Sequence, residues 1–577
     1  MSFQNETKRR MTGSEALVEA LRIEGVQHIT GIVGSAFMDP LDLFPAAGIR
    51  FVQVRHEQSA ALMAEGYGRA SGRPGVCIGQ NGPGITNLVT GIASAYLNHT
   101  PVVVLTPAVL TTAIGTRAFQ EIDQMRLLAP VVKWQMQVNR PDRMGEAIRG
   151  AFRAAVALRG PVQVDIPRDT YYGEWEEAEL APAQYRTDGR FGGAPSAAIA
   201  EAAALLRTAR HPVILAGMGA VDADAGRDLA MLAGRLCAPA ACVWLHNDAF
   251  PSPHPLALGP IGYQGSEAAM KVLSRADVVL VMGSRLNAFG TTPQYGLDFF
   301  PAGAKLIHNS IDPLELGAIR PIKVGLIGDC GEVTRQLLAA LDGHEPPFSQ
   351  AQRLQEVANE KAAWDAKLRA MSIVDTDPIA PRRALWEIAR SVPPDTHVCA
   401  DVGNISGACN SYFTEFQHAR RFFGAGSLGG IGVGYPTAMG VKLAKPDAPV
   451  LALGGDGAWS MTLQEVMTSV TEKIPLVAVV FNNGVYGAER RNQYDFYGER
   501  YFYTDLDNPS FAEVAAAMGA HAVRIRKAED IGPAIQAAFA CGRAAVVEID
   551  VDPKALNEPY RRDALKLPRS VMERYAR

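Results

Sequence analysis

Short unbroken apolar runs, each stopped by glycine or a polar residue, recur along this chain between stretches of helical period. From residue 12 to 180 the runs HITGIVG, RFVQVRH, GVCIGQ, TPVVVLT and GPVQVDIP alternate with the helix-like SEALVEALRIEG and SAALMAEGYGRA. A strand covered by helices on both faces reads as a continuous apolar run, so the alternation predicts a parallel α/β sheet. The pattern returns from 198 to 340, in HPVILAGMG, ADVVLVMGS and AKLIHNSID, and again from 378 to 553. Residues 180–197, LAPAQYRTDGRFGGAPSA, have no period and read as a linker, and residues 350–371 read as a polar connecting helix. A chain of 577 residues exceeds one hydrophobic core. The expected architecture is therefore three α/β domains in series, with residues 554–577 as a tail.

Charge and cysteine usage narrow the function classes. The 56 Lys and Arg nearly balance 60 Asp and Glu, which gives no bulk electrostatic case for nucleic acid or an anionic membrane. The seven cysteines are scattered, odd in number and without a CxxC pair, a pattern of reduced thiols that points to the cytoplasm. MSFQNETKRRM has no apolar core after its basic residues, and no run of 18 apolar residues follows, so neither a signal peptide nor a membrane span is expected.

The third region contains LALGGDGAWSMTLQEVMTSVTEKIPLVAVVFNNGVYGAERR, residues 451–491. PVLALG and IPLVAVVF read as buried strands, and Leu463, Val466, Met467 and Val470 recur at one-face helical spacing between them. Thr462 and Glu465 fit a capping box at the start of that helix. A right-handed crossover would put both strand ends on one sheet edge, where ligands of such folds bind. There Asp456 offers a carboxylate, Asn483 an amide oxygen, and Gly454, Gly455 and Gly457 a backbone that a ligand can approach closely. Hard oxygen ligands beside a phosphate site suit Mg²⁺. Taken singly, GDG and NNG each read as a tight turn; their pairing across one strand–helix–strand unit favours a magnesium diphosphate site.

GDG, a gap of this size and then NN resemble the signature of the thiamine diphosphate (ThDP) enzymes of the acetohydroxyacid synthase and pyruvate decarboxylase superfamily. The resemblance covers nearly the whole chain and implies three doubly wound parallel-sheet domains: pyrimidine-binding, central and diphosphate-binding. It implies ThDP and Mg²⁺ as cofactors, with Asp456, Asn483 and the Val485 carbonyl on the metal and Gly455, Gly457 and Ala458 near the diphosphate. ThDP chemistry needs an acid at the aminopyrimidine ring, and a carboxylic acid held away from water suits that proton shuttle. Glu57, which follows a strand and opens a helix in FVQVRHEQSAALMAEGYGRASG, matches the family's catalytic glutamate; on its own it would read as a helix N-terminal acid. GQNGPGITN (79–87), with Asn81 and Gly82, and AFQE (118–121), with Gln120, match positions that line the thiazolium. In SLGGIGVGYP, Gly429 and Ile431 match the element that bends the cofactor, although Ile431 alone reads equally as a core residue. Because the glutamate domain of one subunit meets the diphosphate domain of another in this family, a homodimer or homotetramer is implied.

Within the superfamily the chain resembles the sulfoacetaldehyde acetyltransferases in IVGSAFMDPLDLFPAAGIRF, IGQNGPGITN, AYLNHTP, IGTRAFQEIDQM, GSRLNAFGTTPQYGLDFFP, YGAERRN and NEPYRRDALKLP. That resemblance implies a lyase and acyltransferase converting sulfoacetaldehyde and phosphate to acetyl phosphate and sulfite. Two anions must then be held, and Arg490, Arg491, Arg561 and Arg562 are candidates because guanidinium forks match tetrahedral oxyanions. His28, His56 and His99 are candidates to move protons near neutral pH. The chain departs from the acetyltransferase pattern at Arg117, Ala118 and Ile431, on the substrate side. Glycolaldehyde, or a 2-oxo acid as in acetolactate synthase or a decarboxylase, is the alternative substrate that these departures leave open. In the central domain LIHNSIDP puts Asn309 and Ser310, not an acid, after the IH strand, an arrangement that points away from FAD.

Overall fold

A computed structural model describes residues 8–187, 192–556 and 558–559. Each of the three regions forms a six-stranded parallel sheet flanked by helices. In the first, the strands lie side by side as Arg50–Gln53, His28–Gly31, Gly75–Ile78, Val102–Ala108, Pro161–Pro167 and Trp134–Gln137, which is 2-1-3-4-6-5 in chain order. The third repeats that order with Phe422–Gly424, His397–Ala400, Val450–Gly455, Val477–Asn482, Ala545–Asp550 and His521–Ile525. The similar alternation of the two regions thus reflects a shared topology. The central sheet, with strands Ala257–Pro260, Ala240–Cys242, Pro212–Ala216, Val278–Met282, Lys305–Ser310 and Val324–Ile327, has the order 3-2-1-4-5-6 of dinucleotide-binding sheets.

Where strand order reverses, the loops leave the sheet edge in opposite directions and a crevice opens. In the third sheet the reversal falls between His397–Ala400 and Val450–Gly455, so the residues just after these strands, Asp401 and Asp456, stand at the crevice. In the first sheet it falls between His28–Gly31 and Gly75–Ile78. An antiparallel ribbon of Lys8–Thr12 and Glu174–Ala178 closes the first region on itself. The 23-residue helix Gln350–Ser372 joins the second region to the third.

The first and third regions pack through the helices Glu57–Ser71 and Gly434–Ala444. The approach is so close that a Cβ on Gly66 would lie 2.3 Å from the Thr437 carbonyl oxygen, and one on Gly440 would lie 2.0 Å from that of Met63. Only glycine admits such contact between two helix backbones. Among the described residues, no helix is long and apolar enough to cross a membrane, and all seven cysteines are free.

One local expectation is overturned. The helix after the GDG turn is Glu465–Thr471, seven residues without a side-chain cap, and Glu465 does not fold back in a capping box. Its fully buried carboxylate instead crosses to the first region, where Oε1 accepts hydrogen bonds from the backbone N–H groups of Arg55 and His56, both 3.1 Å. Tertiary donors displaced the local one because two backbone N–H groups ahead of the Glu57 helix would otherwise lack an acceptor. Burial pushes the pKa of Glu465 up, partly offset by the Thr468 hydroxyl and these amides.

Candidate active site

The strand ends of the third sheet bring Asp456 and Asn483 together although 27 residues separate them. Asp456, 2% exposed, accepts hydrogen bonds at Oδ2 from the backbone N–H groups of Gly484 (2.7 Å) and Asn483 (3.2 Å) and from the Asn508 amide (2.9 Å). Its Oδ1 accepts one from Gly457 N–H at 2.9 Å. Burial nevertheless raises its pKa, the four donors only partly opposing the effect. A cation beside the carboxylate would supply the charge compensation that N–H dipoles do not. Among the described residues, no cluster of three His, Cys, Asp or Glu side chains could hold a metal ion. The adjoining turn carries the Asn483 amide oxygen, which accepts from Val485 N–H at 3.2 Å, and the Val485 carbonyl; with the Asp456 carboxylate these are hard oxygens of the kind that suit Mg²⁺ sharing its shell with phosphate oxygens.

Space for a diphosphate lies alongside. A Cβ added at Gly403, Gly429 or Gly455 would meet nothing within 4 Å, so this face of the crevice is bare backbone. Helix Asn404–Tyr412 begins at Gly403 with no side-chain cap, which leaves its first N–H groups as donors toward an anion. Gly457 has a different task, since a Cβ there would lie 2.5 Å from the Tyr486 ring. Ala458 is buried one residue further on. These residues fit a magnesium-bound diphosphate.

Asp401 controls the neighbouring loop. Its carboxylate accepts hydrogen bonds from Gly432 N–H (2.9 Å) and Gly434 N–H (2.6 Å), the residues that follow Ile431. Burial pushes its pKa up to about 6. Ile431 itself is 36% exposed, so it is not a core residue of this chain.

The other half of the site surrounds Glu57. Helix Glu57–Ser71 starts where strand Arg50–Gln53 has ended, and His56 caps it by accepting a hydrogen bond from Gln58 N–H at Nδ1, 3.2 Å. Glu57 is 7% exposed and its Oε2 accepts a hydrogen bond from the Asn87 amide at 2.9 Å. Helix Pro83–Leu97 supplies Asn87, and its first glycines form a turn between two functional groups: a Cβ on Gly84 would lie 3.1 Å from Glu57 Oε1, and one on Gly82 would lie 2.5 Å from the Gln120 carbonyl oxygen. Gly82 also has φ +71°, a region that side chains rarely adopt. Gly82→Ala is therefore expected to cost about 1–3 kcal/mol of stability and to displace Gln120. Thermal unfolding would measure the loss, and an unchanged midpoint would contradict the geometry. Asn81 donates to the Gln120 carbonyl at 3.2 Å.

The remaining candidates divide. His56 alone of the three histidines adjoins Glu57. His28 opens its strand, at the opposite end of the sheet from Glu57, beside the Tyr67 ring in the last turns of the same helix, and burial lowers its pKa. His99 Nε2 lies 3.1 Å from Glu315 Oε1, on the wall of an open cleft that also touches Gly219, Arg285 and Asp329 but none of Glu57, Gln120 or Asp456. Neither His28 nor His99 is placed to exchange a proton with Glu57 within one chain. Asn309, on the same cleft wall, turns its amide inward and donates to the Leu326 and Gly328 carbonyls, both 2.9 Å.

Arg490 is half-buried, stacks 4.2 Å from the Tyr501 ring centroid and donates to Asp505 at 2.5 Å. Arg491 is enclosed instead, with Asp495 at 2.8 Å and Glu558 at 2.5 Å, so two carboxylates already neutralise it. Arg561 and Arg562 lie outside the described residues. Sequence reasoning missed Asp401, Glu465, Asn508 and Gln80. A signal existed for Asp401, because THVCADVGN repeats the form of LALGGDG, an apolar strand closed by an acid and glycine. Gln80 stands inside the GQNGPGITN motif, of which only Asn81 and Gly82 were singled out, and Asn508 carries no such mark.

Comparison with known proteins gives a match in each region. Residues 11–127 match the thiamine pyrophosphate enzyme N-terminal TPP binding domain, 199–337 the central domain and 401–549 the C-terminal TPP binding domain. The chain is 44% identical to a sulfoacetaldehyde acetyltransferase of Alcaligenes xylosoxydans xylosoxydans, covering 99% of this chain and 98% of that protein. It is 43% identical to a protein of the same name from Castellaniella defragrans, covering 98% and 97%. A probable acetolactate synthase large subunit of Methanocaldococcus jannaschii is 35% identical over 94% of this chain and 92% of its own length.

Proposed function

The chain belongs to the thiamine pyrophosphate enzyme family, and from that premise we propose that it converts sulfoacetaldehyde and phosphate to acetyl phosphate and sulfite, with ThDP and Mg²⁺ as cofactors. Bound ThDP supplies a nucleophilic carbon and an electron sink. Glu57 holds the proton that the aminopyrimidine ring requires, and Asn87 fixes the carboxylate by its hydrogen bond. Asp456, Asn483 and the Val485 carbonyl hold the metal, while Gly455, Gly457, Ala458 and the start of helix Asn404–Tyr412 receive the diphosphate. Asp401 fixes the loop that carries Ile431, the residue that would stand against the bound cofactor.

On the substrate side, Asn81, Gly82 and Gln120 line the reacting end. Arg490, with one of its donors engaged by Asp505, is the better placed of the arginine pair for an anion, and Arg561 and Arg562 complete the proposed set. The site is proposed to be assembled from two chains, as the superfamily pattern implies for the N-terminal and C-terminal TPP binding domains. Phe119, beside Gln120, is 88% exposed and Tyr503 97%, apolar surface that a second copy would cover. A homodimer or homotetramer is therefore proposed, and the free cysteines support a cytoplasmic enzyme.

The observation that carries this reading is the convergence of Asp456 on the Asn483 turn at the crevice of a sheet in a chain similar to the acetyltransferases from end to end. Purified protein given ThDP, Mg²⁺, sulfoacetaldehyde and phosphate is expected to release sulfite and acetyl phosphate in equal amounts. CO₂ release from pyruvate in a parallel tube, with no sulfite from sulfoacetaldehyde, would replace the reading with a 2-oxo acid enzyme.

A further inference from the structure

Three side-chain amides meet between the two loops that border the Glu57 helix, and the direction of every hydrogen bond among them is determined by one backbone group. The N–H of Ala36 can only donate, and it reaches Gln80 Oε1 at 3.1 Å. The Gln80 oxygen is thereby identified, which settles the amide orientation that heavy atoms alone leave ambiguous. Gln80 Nε2 must then be the donor in its other contacts, to Asn81 Oδ1 at 2.6 Å and Gln120 Oε1 at 2.9 Å. Both receiving atoms are accordingly oxygens. The assignment closes on itself, because Asn81 Nδ2, now the free end of its amide, donates to the Gln120 backbone carbonyl at 3.2 Å.

The consequence falls on Gln120. Its backbone is held at φ +61°, its carbonyl lies against Gly82, and its Oε1 is committed to Gln80. Its Nε2 is left as the free end, with no hydrogen bond to any described residue, on a half-buried side chain one residue from the exposed Phe119. Gly34 leaves room for this arrangement, since a Cβ there would lie 2.1 Å from Gln80 Oε1. With its oxygen held toward Gln80, the amide has its Nε2 hydrogens as the unengaged donors, which suit an oxyanion.

We infer that Gln80 is a positioning residue that locks Gln120 as a hydrogen-bond donor to a tetrahedral oxyanion of the reaction, the sulfonate of the substrate or the phosphate acceptor. This rests on the proposed reaction for the identity of the two anions. A site built to donate rejects an analogue that cannot accept, because the donor is then left unpaired.

The test titrates isethionate, a two-carbon sulfonate with no aldehyde, and inorganic phosphate into ThDP- and Mg²⁺-loaded protein by calorimetry. Gln80→Met keeps the side-chain length and removes the donor; Gln120→Leu removes the amide it positions. Each single variant is expected to bind one of the anions about tenfold more weakly, the double variant no more weakly than the singles, and ThDP equally well throughout. Loss confined to isethionate assigns the donor to the sulfonate, with KM for sulfoacetaldehyde raised by a larger factor in Gln80→Met than kcat falls; loss confined to phosphate assigns it to the acceptor. Unchanged affinities for both anions, additive losses near a hundredfold in the double variant, or weakened ThDP binding in Gln80→Met would each overturn the inference. Because isethionate binding needs no turnover, failure to convert sulfoacetaldehyde would refute the proposed reaction without touching this result.

Discussion

Replacing Glu57 with glutamine is expected to lower turnover by about 10²–10⁴-fold, the usual contribution of a positioned acid or base, while the cofactor still binds. Glutamine preserves the size of the side chain at the start of helix Glu57–Ser71 and can still accept a hydrogen bond from Asn87 through its oxygen. It cannot take up and return a proton. Nothing in the Asp456 group depends on Glu57, so metal and diphosphate binding are expected to persist. The measurement is the rate of proton exchange at C2 of bound ThDP by NMR, read beside cofactor occupancy. A rate equal to that of the parent protein would remove Glu57 from the mechanism.

Asp456→Ala has the second large effect, and it acts through structure as well as metal. The substitution takes the acceptor from four donors at once: the N–H groups of Gly457, Asn483 and Gly484 and the Asn508 amide. A buried donor left without a partner costs about 1–3 kcal/mol, and water can reach some of these positions, so a net loss of about 2–4 kcal/mol is expected. The turn at Asn483 then loses its anchor to the neighbouring strand, and the Val485 carbonyl loses its position with it. Gel filtration in Mg²⁺ is expected to strip ThDP from the variant but not from the parent, with EDTA making the parent behave like the variant. Full occupancy of Asp456→Ala after filtration would refute the metal assignment.

Both residues were legible in the sequence for the same reason. Glu57 and Asp456 each stand just past an apolar strand in a strand–helix unit, and such positions collect on one edge of a parallel sheet whatever the side chains around them. The three sheets were legible likewise, because strands covered on both faces leave uninterrupted apolar runs. His28 shows the limit of this logic. It lies on the strand paired in parallel with Arg50–Gln53, but it opens that strand rather than following it, which puts it at the far edge. Thr462 and Glu465 show another limit, since the spacing of a capping box was present and the box did not form.

What the sequence determined by itself was therefore the set of strands and helices, their assembly into three parallel sheets, and the chemical groups at the productive edges. Periodicity is a local property, and burial follows it residue by residue. Only the tertiary structure decided which polar groups meet. Glu465 finds its partners 409 and 410 residues away, Asp401 finds Gly432 and Gly434 across a crevice, and Gln80 is oriented by a backbone N–H in another loop. The physical reason is that a polar group is paired by whichever donor or acceptor loses its water beside it when the domains close, and no spacing along the chain records that.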